Sequence, residues 1–176
     1  PEDWKDMTSF GRFLDRVEAL HTEINTAFYV AHGALRIAVK GYDSTPLTVK
    51  EREQVHALLT EAMEAGAVGM STGFVYAPGT YADLDEIVDL CQIVSRYGGV
   101  YATHMKDEGD HVIESVKESI EVARRTGVRL LISHHKVTGV ANAIHIGEIH
   151  RLVNEARAEG LSVTWTSTHT APGKRP

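Results

Sequence analysis

The stretch GVYATH (Gly99 to His104), DHVIESVKESIEVARRTG (Asp110 to Gly127) and VRLLISH (Val128 to His134) decides the fold. A short β-branched and aromatic run, a segment with apolar residues at helical spacing and a glycine stop, and a second apolar run predict strand, helix and strand. Both runs end on a histidine. One helix between two strands is a βαβ unit, whose strands lie parallel with a right-handed crossover.

The unit repeats on both sides. Upstream, Thr48 followed by Glu51 predicts a capping box and a helix to about Ala65 with Gly66 as its stop, then a strand from Ala67 to Ser71. Asp83 with Glu86 predicts a second capping box, opening a helix whose apolar stripe is Leu84, Ile87, Val88, Cys91 and Val94. Near the start, Thr8 to Leu20 reads as an amphipathic helix and Ile24 to Val30 as a buried strand. Downstream, a helix from about Ala143 to Glu159 stops at Gly160, and a strand follows from Leu161 to Thr166. About five parallel strands alternating with helices fit either an open doubly wound sheet or part of a closed (β/α)8 barrel. Gly69, Gly73 and Gly79 match neither the dinucleotide fingerprint nor the P-loop, which counts against a nucleotide-binding open sheet.

With 176 residues, 43% of them hydrophobic, and no linker-like tract, residues 1–176 are expected to form a single domain. The charge of −6 and the lack of a Lys/Arg cluster exclude a nucleic-acid partner. No apolar run approaches membrane-spanning length, so no membrane partner is expected. Cys91 is the only cysteine, which excludes an internal disulfide and a CxxC motif and fits a cytoplasmic setting; on its apolar helix stripe it reads as a core residue.

In parallel α/β architectures, function gathers at the carboxyl ends of the strands, where loops converge. There the sequence places His32, Ser71, Thr72, His104, His134, His135 and the segment from Thr166 to His169. Two imidazoles from adjacent strand ends can approach one Zn²⁺ and leave it an open position, so His104 and His134 are the candidate metal ligands. Such an ion lowers the pKa of bound water to about 7 and polarises a carbonyl, chemistry suited to hydrolysis. Of the ten histidines, His21, His56, His111, His145 and His150 fall on helices or their ends and read as solvated.

Four ordered motifs carry a resemblance: AHGALR (Ala31 to Arg36), GMSTGFVYAP (Gly69 to Pro78), YATHMKDEG (Tyr101 to Gly109) and ISHHK (Ile132 to Lys136). Between about Trp4 and Gly160 the chain is similar to the N-acyl-D-amino-acid deacylase (D-aminoacylase) branch of the metal-dependent amidohydrolase superfamily. The resemblance implies a partial (β/α)8 TIM-type barrel and a zinc-dependent hydrolase that deacylates N-acyl-D-amino acids with metal-activated water, its partner being a small-molecule N-acyl amino acid. It assigns His104 and His134 to Zn²⁺ and matches Lys136 to the motif lysine, which would pair with the substrate carboxylate. His32 and Tyr76 are further substrate-binding candidates, and Ser71 is expected to scaffold its loop. Asp107 and Glu108 are read as anions at a helix N-terminus rather than as groups orienting the centre.

The family's site also needs an upstream His-x-His, a cysteine ligand and a late aspartate as general base. None has a counterpart here, so the chain reads as a fragment of an amidohydrolase barrel, lacking its first and last strands and weakly active alone. The tail from Ser162 to Gly173 departs from the family's Asp-x-Tyr-Pro-Tyr pattern. The alternative is a non-catalytic, degenerate half-barrel that binds a metal or small ligand, or self-associates; exposed strand edges make a homo-oligomer the expected state.

Overall fold

The computed structural model describes residues 8–166. The elements run α1 (Phe10–Glu18), β1 (Tyr29–Ala31), α2 (His32–Lys40), α3 (Val49–Ala65), β2 (Gly69–Gly73), α4 (Leu84–Arg96), β3 (Val100–His104), α5 (Val112–Thr126), β4 (Arg129–Ile132), α6 (Ile146–Ala158) and β5 (Val163–Trp165). All five strands are parallel, in the spatial order β1-β2-β3-β4-β5. A doubly wound sheet reverses its order at a switch point, whereas here each strand lies beside its sequence neighbour throughout. That unbroken succession is the arrangement of a (β/α) barrel, of which the described residues form five strands.

Register fixes which way each side chain faces. Val30, Met70, Tyr101, Leu130 and Val163 form one row across the sheet, and all are buried against the helices. The alternate row, Ala31, Ser71, Ala102, Leu131 and Thr164, looks onto the concave face that helices do not cover. Side chains alternate with period two, so His104, two residues after Ala102, joins that concave row. Gly69 opens β2 at φ +154°, where a β-carbon would sit 1.9 Å from the Val100 carbonyl oxygen, so only glycine permits this strand pairing.

The helix signals act as their chemistry predicts, with one instructive exception. Thr48 and Glu51 form the full capping box, and Gly66 closes α3 in the left-handed conformation. At α4, Asp83 accepts from the Glu86 N–H at 2.7 Å, but the Glu86 side chain does not return to the cap. It turns inward to two basic partners, so the second box forms only by half. The strand expected from Ile24 begins only at Tyr29, with Ile24 exposed, and His32 to Lys40, to which the sequence pattern assigns no element, is helix α2. The last helix is preceded by a 3₁₀ turn at Ala141–His145 and starts at Ile146. Cys91 lies buried in the core as expected. Of the tail from Ser162 to Gly173, the part beyond Thr166 lies outside the described residues. No helix among the described residues is long and apolar enough to cross a membrane.

Candidate metal centre

Strands β3 and β4 end side by side, because Val100 to Thr103 pair in register with Arg129 to Ile132. The loops that follow are tied together: the Thr138 N–H donates to the Glu108 carbonyl at 2.6 Å, and the Ser133 N–H donates to the Thr103 carbonyl at 2.9 Å. His104 and His134 are thereby brought together, with ring centroids 4.6 Å apart and His104 Nδ1 against His134 Nε2.

His134 reaches this position at a backbone cost. Its φ is +35°, a left-handed conformation that non-glycine residues adopt with strain of about 1–2 kcal/mol. Thr166, just past β5, holds it there: the His134 N–H donates to Thr166 Oγ1 at 2.8 Å and the His135 N–H to the Thr166 carbonyl at 2.7 Å.

A third group joins them, one whose place in the sequence predicts a helix-terminus role. Glu108 Oε1 lies 3.9 Å from His104 Nδ1 and 3.6 Å from His134 Nε2, and its Oε2 pairs with the Lys136 ammonium. Asp107 does take the expected role, accepting from the N–H groups of Gly109 at 2.6 Å and His111 at 3.1 Å. Glu108 is therefore not needed at the helix start. Its His104-to-Glu108 spacing of four residues was the available signal, obscured because no helix spans that loop.

Burial lowers the His104 pKa below the ordinary histidine value; Glu108 opposes this, while His134 and Lys136 reinforce it. At neutral pH the ring is an uncharged lone-pair donor, the form a metal requires. Glu108 Oε1 is buried and has no hydrogen-bond partner. The two ring nitrogens and this orphaned oxygen lie within 4.8 Å of one another, so the donor set and its geometry fit a divalent cation.

Other candidates fall near or away from this point. The Tyr76 ring, 70% exposed, stands 6.4 Å from the His104 ring at the tip of the loop after β2. Ser71 is on the concave row of β2, whereas Thr72 faces the helices and donates to Thr103 Oγ1 at 2.9 Å. His32 is elsewhere: it is fully buried, with Nε2 2.8 Å from Glu86 Oε1, while Arg36 donates to Glu86 Oε2 at 2.6 Å. His150, though exposed, stacks on Trp165 with His135 on the same ring.

No protein-family model matches the chain. Among curated proteins it is 38% identical over 149 residues to a D-aminoacylase of Alcaligenes xylosoxydans xylosoxydans, covering 85% of this chain and 31% of that protein. It is 37% identical to the N-acyl-D-aspartate deacylase of the same organism, covering 87% of this chain and 32% of that protein. Over the matched residues the chain is similar to the D-aminoacylase branch of the amidohydrolases. A D-aminoacylase crystal structure superposes with a TM-score of 0.86 at 35% identity, covering 90% of this chain and 33% of that one. The N-acyl-D-glutamate deacylase of Bordetella bronchiseptica, solved with zinc and a phosphonate inhibitor, superposes at 0.85 with 30% identity, covering 89% of this chain and 33% of that one. The chain thus spans about a third of the length of the relatives it matches.

Proposed function

We propose that the chain carries part of the active site of a metal-dependent hydrolase that removes the acyl group from N-acyl-D-amino acids, with His104 and His134 as ligands of a Zn²⁺ ion. The observation that carries this reading is the convergence of the two imidazole nitrogens with the unpartnered Glu108 oxygen at the ends of β3 and β4. Relatives named for N-acyl-D-amino-acid deacylation, one of them solved with zinc, support the same chemistry.

When bound, Zn²⁺ supplies a Lewis acid and lowers the pKa of water to about 7. The chain's own residues do the rest of what is assigned here. His104, kept neutral by burial, and His134, fixed through Thr166, present lone pairs to one point. Lys136, 42% exposed and paired with Glu108, is assigned to the substrate carboxylate, and Tyr76 offers an aromatic wall beside His104. His32 has no path to substrate through its burial and is assigned to the scaffold. Residues 1–176 are taken as one unit that spans about a third of the length of its relatives, so turnover by the chain alone is expected to be low.

Release of free amine from N-acetyl-D-methionine in the presence of Zn²⁺ tests the reading. Release by the unsubstituted chain, abolished in His104→Ala and His134→Ala, supports it; release that survives either substitution overturns the ligand assignment. A second reading, a half-barrel that self-associates, draws on β1 and β5, each paired along one edge only among the described residues. Sedimentation showing a concentration-independent monomer excludes it.

A further inference from the structure

We infer that Glu108 is a third protein ligand of this centre, and that Lys136 is a latch that occupies the carboxylate until an ion displaces it. The inference rests on the proposed roles of His104 and His134 and adds to them a ligand and a control on its availability.

Glu108 is divided between two tasks. Oε2 is held by the Lys136 ammonium, while Oε1 is buried, faces both imidazoles and accepts no hydrogen bond. Separations of 3.6 and 3.9 Å are too long for either ring to donate to it. A buried carboxylate oxygen without a hydrogen-bond partner is costly, and the nearest groups to it are the two imidazole rings, which stand beyond hydrogen-bond distance. Three potential ligand atoms that converge without a hydrogen bond between carboxylate and ring fit a bound cation. Two histidines and one glutamate with an open position form a recurrent catalytic zinc set.

The backbone around Glu108 is fixed independently of its side chain, through its carbonyl to Thr138 and through Asp107 to the α5 turn. The carboxylate is thus presented on a rigid loop. Its 12% exposed side chain contrasts with the 42% exposed lysine that holds it, so Lys136 can leave without disturbing the core. An ammonium and a dication compete for the same carboxylate and repel one another. Ion binding therefore frees Lys136, and an anionic group that engages the freed lysine strengthens ion binding by the same factor, because the coupling is reciprocal.

The test is Zn²⁺ affinity, measured with no substrate by competition with a chromophoric chelator, on the full chain and on Glu108→Gln, Lys136→Met and the double variant. Glu108→Gln is expected to weaken binding at least roughly tenfold, since even groups that only orient ligands are worth about 10–100-fold. Lys136→Met is expected to tighten it about two- to fivefold, the scale of an exposed ion pair. In the Glu108→Gln background, Lys136→Met is expected to change nothing, because no carboxylate remains to compete for. Unchanged affinity in Glu108→Gln overturns the ligand assignment; unchanged or weaker binding in Lys136→Met, or equal tightening in both backgrounds, overturns the latch. Affinity lost in His104→Ala yet intact in Glu108→Gln defeats this inference alone, whereas affinity untouched by His104→Ala, or no Zn²⁺ binding by the unsubstituted chain, defeats the two-histidine reading with it.

Discussion

The protein builds two clusters from the same ingredients, a histidine, a glutamate and a basic side chain, and gives them opposite surroundings. His32, Glu86 and Arg36 are locked between α2 and α4 with side chains at most 3% exposed, and both Glu86 oxygens are taken. Since an ionised carboxylate only accepts, His32 Nε2 must donate, leaving Nδ1 without a hydrogen-bond partner. His104, Glu108, His134 and Lys136 stand at strand ends, partly exposed, with one carboxylate oxygen unclaimed beside two ring nitrogens. Composition does not separate a structural ion cluster from a chemical one. What separates them is spare coordinating capacity aimed at a shared point among partly exposed side chains.

The comparison breaks most readily in the sealed cluster. Glu86→Ala leaves Arg36 buried without its counter-charge, and removing one partner of a buried pair costs about 3–5 kcal/mol. Urea denaturation is expected to show a loss of that size, with Zn²⁺ affinity of the remaining folded protein unchanged. A loss below about 1 kcal/mol would mean that water reaches Arg36 and that the cluster is not sealed.

The open cluster is expected to respond the other way round. His134→Gly removes a ligand and should weaken Zn²⁺ binding by about 100-fold, or roughly 2.7 kcal/mol. Folding stability should hold or rise by up to about 1 kcal/mol, because glycine relieves the left-handed strain at φ +35°. Unfolding and chelator-competition curves on one preparation measure both. Destabilisation beyond about 1 kcal/mol would show that His134 supports the fold as the sealed cluster does.

These two regions also mark where the sequence is and is not readable. The strand-ending histidines are legible because a βαβ repeat places strand ends together whatever lies between, and the unit's boundaries follow from local signals such as Thr48, Gly66 and Gly127. Choosing barrel over open sheet required the strand order, which no local pattern encodes. Glu86 misleads because it satisfies the capping-box spacing while its side chain is drawn to buried basic groups on α2, a helix that the sequence pattern does not announce. Glu108 misleads because its neighbour Asp107 fills the helix-start role that both were given. In each case a long-range partner outcompetes the local role suggested by spacing.

Acid titration sharpens the contrast further. Burial raises the Glu86 pKa, but the hydrogen bonds from His32 and Arg36 outweigh it and leave the carboxyl below the ordinary glutamate value. A depressed folded-state pKa means that the unfolded chain binds the proton more readily. The stabilisation is therefore fully present above the unfolded value of about 4.3 and is lost as pH falls through the folded one. Glu51, held at about 2 by the Thr48 cap and Lys40, contributes in the same direction. Comparing unfolding from pH 6 to pH 3 in the unsubstituted chain and in Glu86→Gln cancels that background. The unsubstituted chain is expected to lose stability more steeply, and parallel curves would show that Glu86 is not held in its charged form.

The smallest effect bears on how the open cluster is assembled. Thr166→Val removes the hydroxyl that accepts the His134 N–H at 2.8 Å, but keeps the backbone bonds from the His135 N–H to the Thr166 carbonyl and from the Thr166 N–H to Ile132. A lost bond of this kind costs about 0.5–1.5 kcal/mol. If that bond fixes the ring at its strained backbone, Zn²⁺ affinity should fall about two- to fivefold, which is of the same size in free energy. Thr166→Ser, which retains the acceptor, should restore it. Stability that drops while Zn²⁺ affinity stays constant would mean that β4 alone positions His134. The contribution of β5 would then be to close the sheet, and the centre would be a property of two strands rather than three.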